Sequence, residues 1–200
     1  MLLAGSHLYL NVFSVLFAAV LGWYFGGADF SLHPDKLHGS LVSYLEKSIY
    51  RAGSYKEGLY ALLAGLASVF VVSSILFYFI GKAGWFWYLV FSTAAIYLSI
   101  SRDFSEVDED SSAAVEYLNY AMPVLFYSLI FGPIAAVMYR LLPVMRSMLP
   151  TTSSRYAQFS EPVEGAYRTL RDIANLLIPV MVYAGMSIRK FVRFLKSYIP

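Results

Sequence analysis

The 200-residue chain has no cysteine. Disulfides, thiolate nucleophiles and cysteine-held zinc are therefore excluded. Charge is scarce too: 14% of residues are Asp, Glu, Lys or Arg, against about 25% in an ordinary soluble domain. The net charge of +2 is too small to point to nucleic acid. No Lys or Arg precedes Lys36. The apolar run 8–25 thus lacks the basic n-region of a secretory signal and is too long for its apolar core, so it reads as a retained span. The phosphate-cradling GxxxxGK[ST] and GxGxxG, the zinc motif HExxH and the nucleophile elbow GxSxG are all missing. No internal repeat of the kind that builds many transporters is found.

What remains is hydrophobic. Apolar and aromatic types make up 58% of the chain and the mean hydropathy is +0.59. The fold class expected is all-α, a polytopic integral membrane protein of four to five transmembrane helices plus amphipathic surface helices, in one domain. The apolar segments fall at about 8–25, 58–80, 85–100, 113–142 and 173–188, with surface helices at about 35–51 and 161–172. In 58–80 the small residues Gly58, Ala61, Ala64, Gly65, Ala67 and Ser68 permit close helix approach. Trp85, Trp87 and Tyr88 after the glycine-rich turn 81–84 suit an interfacial aromatic belt. In 35–51, Leu37, Leu41, Tyr44, Leu45 and Ile49 are read as the apolar face. His33 and His38 lie five apart across Pro34, the wrong spacing for a metal pair on one helix face.

The segment 113–142 stands out. From Leu118 to Leu142 its only charge is Arg140, yet Pro123, Gly132 and Pro133 interrupt it. Each proline removes a backbone donor, so the helix is expected to kink or break and to be packed in protein or face a wet cavity. Two topologies stay open. If 113–142 crosses once, basic residues divide nine against six; if it doubles back, ten gather on one side against Lys82 on the other. The second arrangement places the main polar loops in the cytoplasm by the positive-inside rule.

Chemistry-bearing residues are few. Arg146, Arg155, Arg168 and Arg171 form a basic set suited either to phosphate, through bidentate forks, or to lipid headgroups. The acidic stretch 101–112 carries Asp103, Glu106, Asp108, Glu109 and Asp110, without EF-hand spacing; it is either a solvated loop or a recruiter of Mg2+. The tail 189–196 (RKFVRFLK) is basic and amphipathic, as an anchor on anionic lipid would be.

Three places in the chain share an order of features with a known family. The first is His33-Pro34 with Leu37, Gly39, Leu41 and Leu45-Glu46. The second is Ala114-Val115-Glu116, then Val124-Leu125-Phe126-Tyr127, Gly132-Pro133 and Tyr139-Arg140. The third is Ser147-Met148, Arg155-Tyr156, Phe159, then the run Leu170-Arg171-Asp172-Ile173-Ala174-Asn175 and Ile178-Pro179. In this order they resemble the CobD/CbiB family of cobalamin-biosynthesis membrane proteins and its relative AmpE. The resemblance implies an adenosylcobinamide-phosphate synthase, an ATP-dependent ligase that attaches an aminopropanol arm to adenosylcobyric acid. It further implies Glu116, Asp172 and Asn175 as catalytic groups, and Arg146, Arg155, Arg168 and Arg171 as phosphate and substrate ligands. ATP and Mg2+ would be cofactors, with no resident protein-bound metal. Partners would be membrane lipids and a corrinoid, at the plasma membrane. The chain departs from the family in a shortened polar segment at 117–121 and in the missing Asn and Asp of 142–148. The alternative implied is a non-enzymatic AmpE-like signalling or scaffold protein.

Overall fold

The structure, a computed structural model, describes residues 8–25, 34–100, 112–149 and 156–177, with the backbone alone at 8, 23–25, 34 and 112–120. Among the described residues it is all helical, as expected, with seven helices and no strand. They are α1 (Leu8–Phe25), α2 (Pro34–Ile49), α3 (Tyr55–Ala83), α4 (Trp85–Ile100), α5 (Ser112–Phe131) and α6 (Pro133–Met148), followed by α7 (161–177).

Local chemistry sets the ends. Ser54 caps α3 by accepting from the Glu57 amide at 3.4 Å. The Glu57 carboxylate reaches back to the amides of Arg51, Ala52 and Gly53 at 3.0–3.1 Å. This reciprocal S-x-x-E capping box starts α3 three residues ahead of the apolar run. Pro34 opens α2 and Pro133 opens α6, where a missing N–H costs nothing. α5 continues through Pro123, and the break falls at Gly132, whose φ of 85° favours glycine.

The break reverses the chain. Tyr127 and Tyr139 stack with ring centroids 5.6 Å apart, whereas twelve residues of straight helix would separate them by about 18 Å. α5 and α6 are therefore the two arms of a hairpin. α6 packs against α2, α3, α4 and α5, and its Ala136, Leu141, Leu142 and Met145 lie at the centre of the core with Val42, Leu62, Ile96, Phe159 and Val163.

On α3, Gly58, Ala61 and Gly65 are buried, whereas Ala67 and Ser68 face out. A Cβ on Gly58 would lie 1.7 Å from the Phe159 carbonyl oxygen, so backbone passes directly over backbone there. α2 buries His38, Val42 and Leu45, with Leu41 and Ile49 packed at the margin. Leu37 and Tyr44, assigned above to the apolar face, are 66% and 68% exposed. The buried face is rotated toward His38, which lies inside with Val42 and Leu45.

Polar side chains are enclosed within the apolar core, and many large apolar ones lie outside. Asn11, Ser14, Ser92, Ser99, Ser128 and Arg140 are buried, while Phe13, Phe17, Leu63, Phe70, Val72, Phe79, Trp85 and Phe91 face outward. Among the described residues α3 is the one helix long and apolar enough to cross a membrane, and only 28% of its most apolar window is buried.

Candidate functional site

The polar groups gather where the C-terminal half of α6 meets α2, α7 and the end of α4. Arg140 is the lone charge of its apolar run, and its side chain is 4% exposed. Its fork is filled by Asp35 at the start of α2: Nε donates to Oδ1 at 2.6 Å and Nη2 donates to Oδ2. Nη1 reaches the Ser99 carbonyl at the end of α4. A guanidinium inside an apolar bundle requires such bidentate neutralisation. Nearby, Tyr156 donates to Glu46 of α2 and its ring meets Tyr50 edge-on.

One turn and a half further along α6, Arg146 turns toward α7. Its Nε donates to Glu164 Oε2 at 2.6 Å, and Arg168 Nε donates to Glu164 Oε1, also at 2.6 Å. Arg146 lies 5.1 Å from the centre of the Tyr167 ring and Arg171 lies 5.7 Å from it. Arg171 also donates to Asp172 through Nε and Nη2, both at 3.2 Å. Burial pushes the Glu164 carboxyl up, but the hydrogen bonds from Arg168 and Arg146 outweigh it and hold the group below its ordinary value. Tyr139 and Tyr127 extend the aromatic contact inward from Tyr167, and the Tyr127 hydroxyl donates to the Leu170 carbonyl at 2.8 Å.

The structure thus brings together three of the four arginines singled out from sequence: Arg146, Arg168 and Arg171. Asp172 joins them at the edge, with its side chain 67% exposed. Asn175 is exposed on α7. Arg155, the Glu116 side chain, His33 and the acidic stretch 101–111 lie outside the described residues. Two features were missed from sequence. One is the Asp35–Arg140 pair, signalled by a lone arginine in an apolar run, which needs a carboxylate somewhere. The other is Glu164, the buried carboxylate that organises the arginines.

Glu164 already holds two arginines, and Asp172 sits against a third. Among the described residues no group of three or more His, Cys, Asp or Glu is placed to hold a metal ion. No family model matches the chain, and neither curated proteins nor solved structures give a match.

Proposed function

We propose that the chain is a multi-pass membrane protein of the AmpE-like, non-catalytic kind: a bundle that carries a polar assembly at one end and serves as a signalling or scaffold element. The membrane part is supported by the outward apolar surface of α1, α3 and α4 around a core that also encloses Asn11, Ser14, Ser92, Ser99, Ser128 and Arg140, an arrangement that lipid favours. The hairpin supports a cytoplasmic placement of the main polar loops. With α5 and α6 returning to one side, the positive-inside rule assigns Lys36, Lys47, Arg51, Lys56, Arg146, Arg168 and Arg171 to the cytoplasmic side and Lys82 to the other. Trp85, Phe86 and Trp87, exposed beside Lys82, then form the aromatic belt of the far interface.

The observation that carries the non-catalytic reading is the state of the arginines. Each of the three described arginines of the set is bonded to a carboxylate of α7, Arg146 across from α6 and Arg168 and Arg171 within α7, so Glu164 and Asp172 are engaged by arginines in place of a metal or a substrate. Asp172 and Asn175 point outward instead of lining an enclosed polar site. One observation favours the synthase: Arg146 and Arg171 lie against Tyr167, and Arg168 joins Arg146 through Glu164.

Growth of a corrinoid auxotroph lacking its own synthase, fed adenosylcobyric acid, separates the readings. The scaffold reading expects no rescue by the well-expressed native chain. Rescue by the native chain, abolished by Asp172→Asn, would replace it with the synthase. Membrane integration is checked on its own by an alkaline carbonate wash, after which the chain is expected in the pellet.

A further inference from the structure

The arginine face of α6 and α7 has a build that a simple positive-inside patch does not require. Glu164 has a side chain only 10% exposed, and each of its two oxygens takes the Nε–H of a different arginine. The Nε edge of each fork is thereby fixed, and the remaining Nη donors belong to side chains 48% and 65% exposed for Arg146 and Arg168. Tyr167 adds a second restraint, since the guanidiniums of Arg146 and Arg171 both lie against its ring. The result is three planar, permanently charged donors whose long side chains are already partly ordered, so a ligand would forfeit less rotamer entropy on binding them. Planar forks match the oxygens of a phosphate group.

We propose that Arg146, Arg168 and Arg171, organised by Glu164 and Tyr167, form a recognition site for the phosphate of an anionic phospholipid headgroup. The site rests on the membrane placement proposed above, which puts this end of the bundle on the cytoplasmic leaflet. That leaflet is where anionic headgroups lie. The headgroup docks on the outer edge of the forks and ties α7 to the leaflet, while the Arg146–Glu164 pair ties α7 to α6. Glu164 is then a positioning residue: it has no contact with the phosphate and acts through the two arginines.

This assignment and a generic basic patch give opposite signs for one substitution. Glu164→Gln removes a negative charge from the face. A generic patch would then bind anions more tightly. An organised site loses the anchor of two forks and binds more weakly, by about tenfold, the equivalent of one charge-assisted hydrogen bond. Arg168→Lys and Arg171→Lys keep the charge but lose the fork, so they spare a generic patch and weaken the site.

The measurement is native mass spectrometry of the full chain in detergent, titrated with dioctanoyl phosphatidic acid, dioctanoyl phosphatidylcholine and inorganic phosphate. Unfolding temperature is recorded for every variant. The expected result is preferential binding of phosphatidic acid, weakened by Glu164→Gln and by both lysine variants. Tighter binding by Glu164→Gln, no change in both lysine variants, or equal binding of phosphatidylcholine would overturn the site. Displacement of the lipid by an equal concentration of inorganic phosphate would overturn its lipid source. If Glu164→Gln does not fold, the lysine variants at exposed positions decide. A chain that pellets with membranes yet binds no anionic lipid sinks this site and leaves the membrane reading intact.

Discussion

Converting Asp35 to Asn keeps the shape of the side chain and removes the charge that neutralises Arg140. The guanidinium would stay where it is, 4% exposed, with the Ser99 carbonyl at 3.5 Å and a neutral amide oxygen in place of a carboxylate. Breaking a fully buried pair this way costs about 3–5 kcal/mol. Asp35 is 38% exposed, so solvent screens part of the attraction and the cost falls to about 2–3 kcal/mol. At roughly 2–4 °C per kcal/mol for a chain of this size, the unfolding temperature should drop by roughly 4–12 °C. The assay is thermal unfolding of the full chain in detergent, followed by far-ultraviolet circular dichroism. Adding Arg140→Met removes the orphaned charge, so the double variant should be less destabilised than the two single effects added together. A shift below roughly 1 °C for Asp35→Asn, or strict additivity in the double variant, would refute the argument that this pair is neutralised across α2 and α6.

Gly58→Ala should destabilise by more than an ordinary helix substitution, about 3 kcal/mol or more, because the new Cβ meets the backbone carbonyl of Phe159 and neither chain can rotate away; an unfolding temperature equal to the parent's would contradict the close crossing. Leu45→Asp places a charge at a site 6% exposed and should cost about 2–3 kcal/mol, more than Leu41→Asp at the margin of the same face; equal melting of the two variants and the parent would count against α2 packing as described. The pH dependence has a definite sign. The Glu164 carboxyl is held below its ordinary value of 4.5 in the folded chain, so its contribution is full above that value and is lost as pH falls through the depressed folded value. Melting curves from neutral to acidic pH should therefore fall more steeply for the parent than for Glu164→Gln, and parallel profiles would remove the proposed stabilisation.

How much of this was readable beforehand depends on the range of the interaction. Helix class and the break at Gly132–Pro133 were legible, because apolar run length and a missing N–H act within a few residues. The reversal was not, since a break alone does not say whether the second arm continues or returns. That is decided by contacts such as Tyr127 with Tyr139 and Tyr139 with Tyr167. The start of α3 was available in Ser54-x-x-Glu57 and was passed over because hydropathy begins at Gly58. The phase of α2 was misjudged because a histidine can be a core residue. Three of the four arginines were brought to one surface, but the residue that organises them, Glu164, looked like any acidic residue at a helix start. Asp35 and Arg140 are 105 positions apart, and only tertiary packing could pair them.

The two glycine turns have a consequence for access. α3 passes to α4 through Gly84 alone, and α5 passes to α6 through Gly132 alone, both at positive φ. Both turns lie at the same end: Phe77 rests against Tyr88, the Tyr88 hydroxyl donates to Asn11, and Asn11 lies against Gly132. There, the connection within each of these two helix pairs is a single residue. The described connection between α2 and α3, 50–54, is longer and is held by the Glu57 carboxylate. Neither glycine connection has slack, so an inserted tag has poor access at Gly84 and Gly132, where an added residue would have to displace a packed helix.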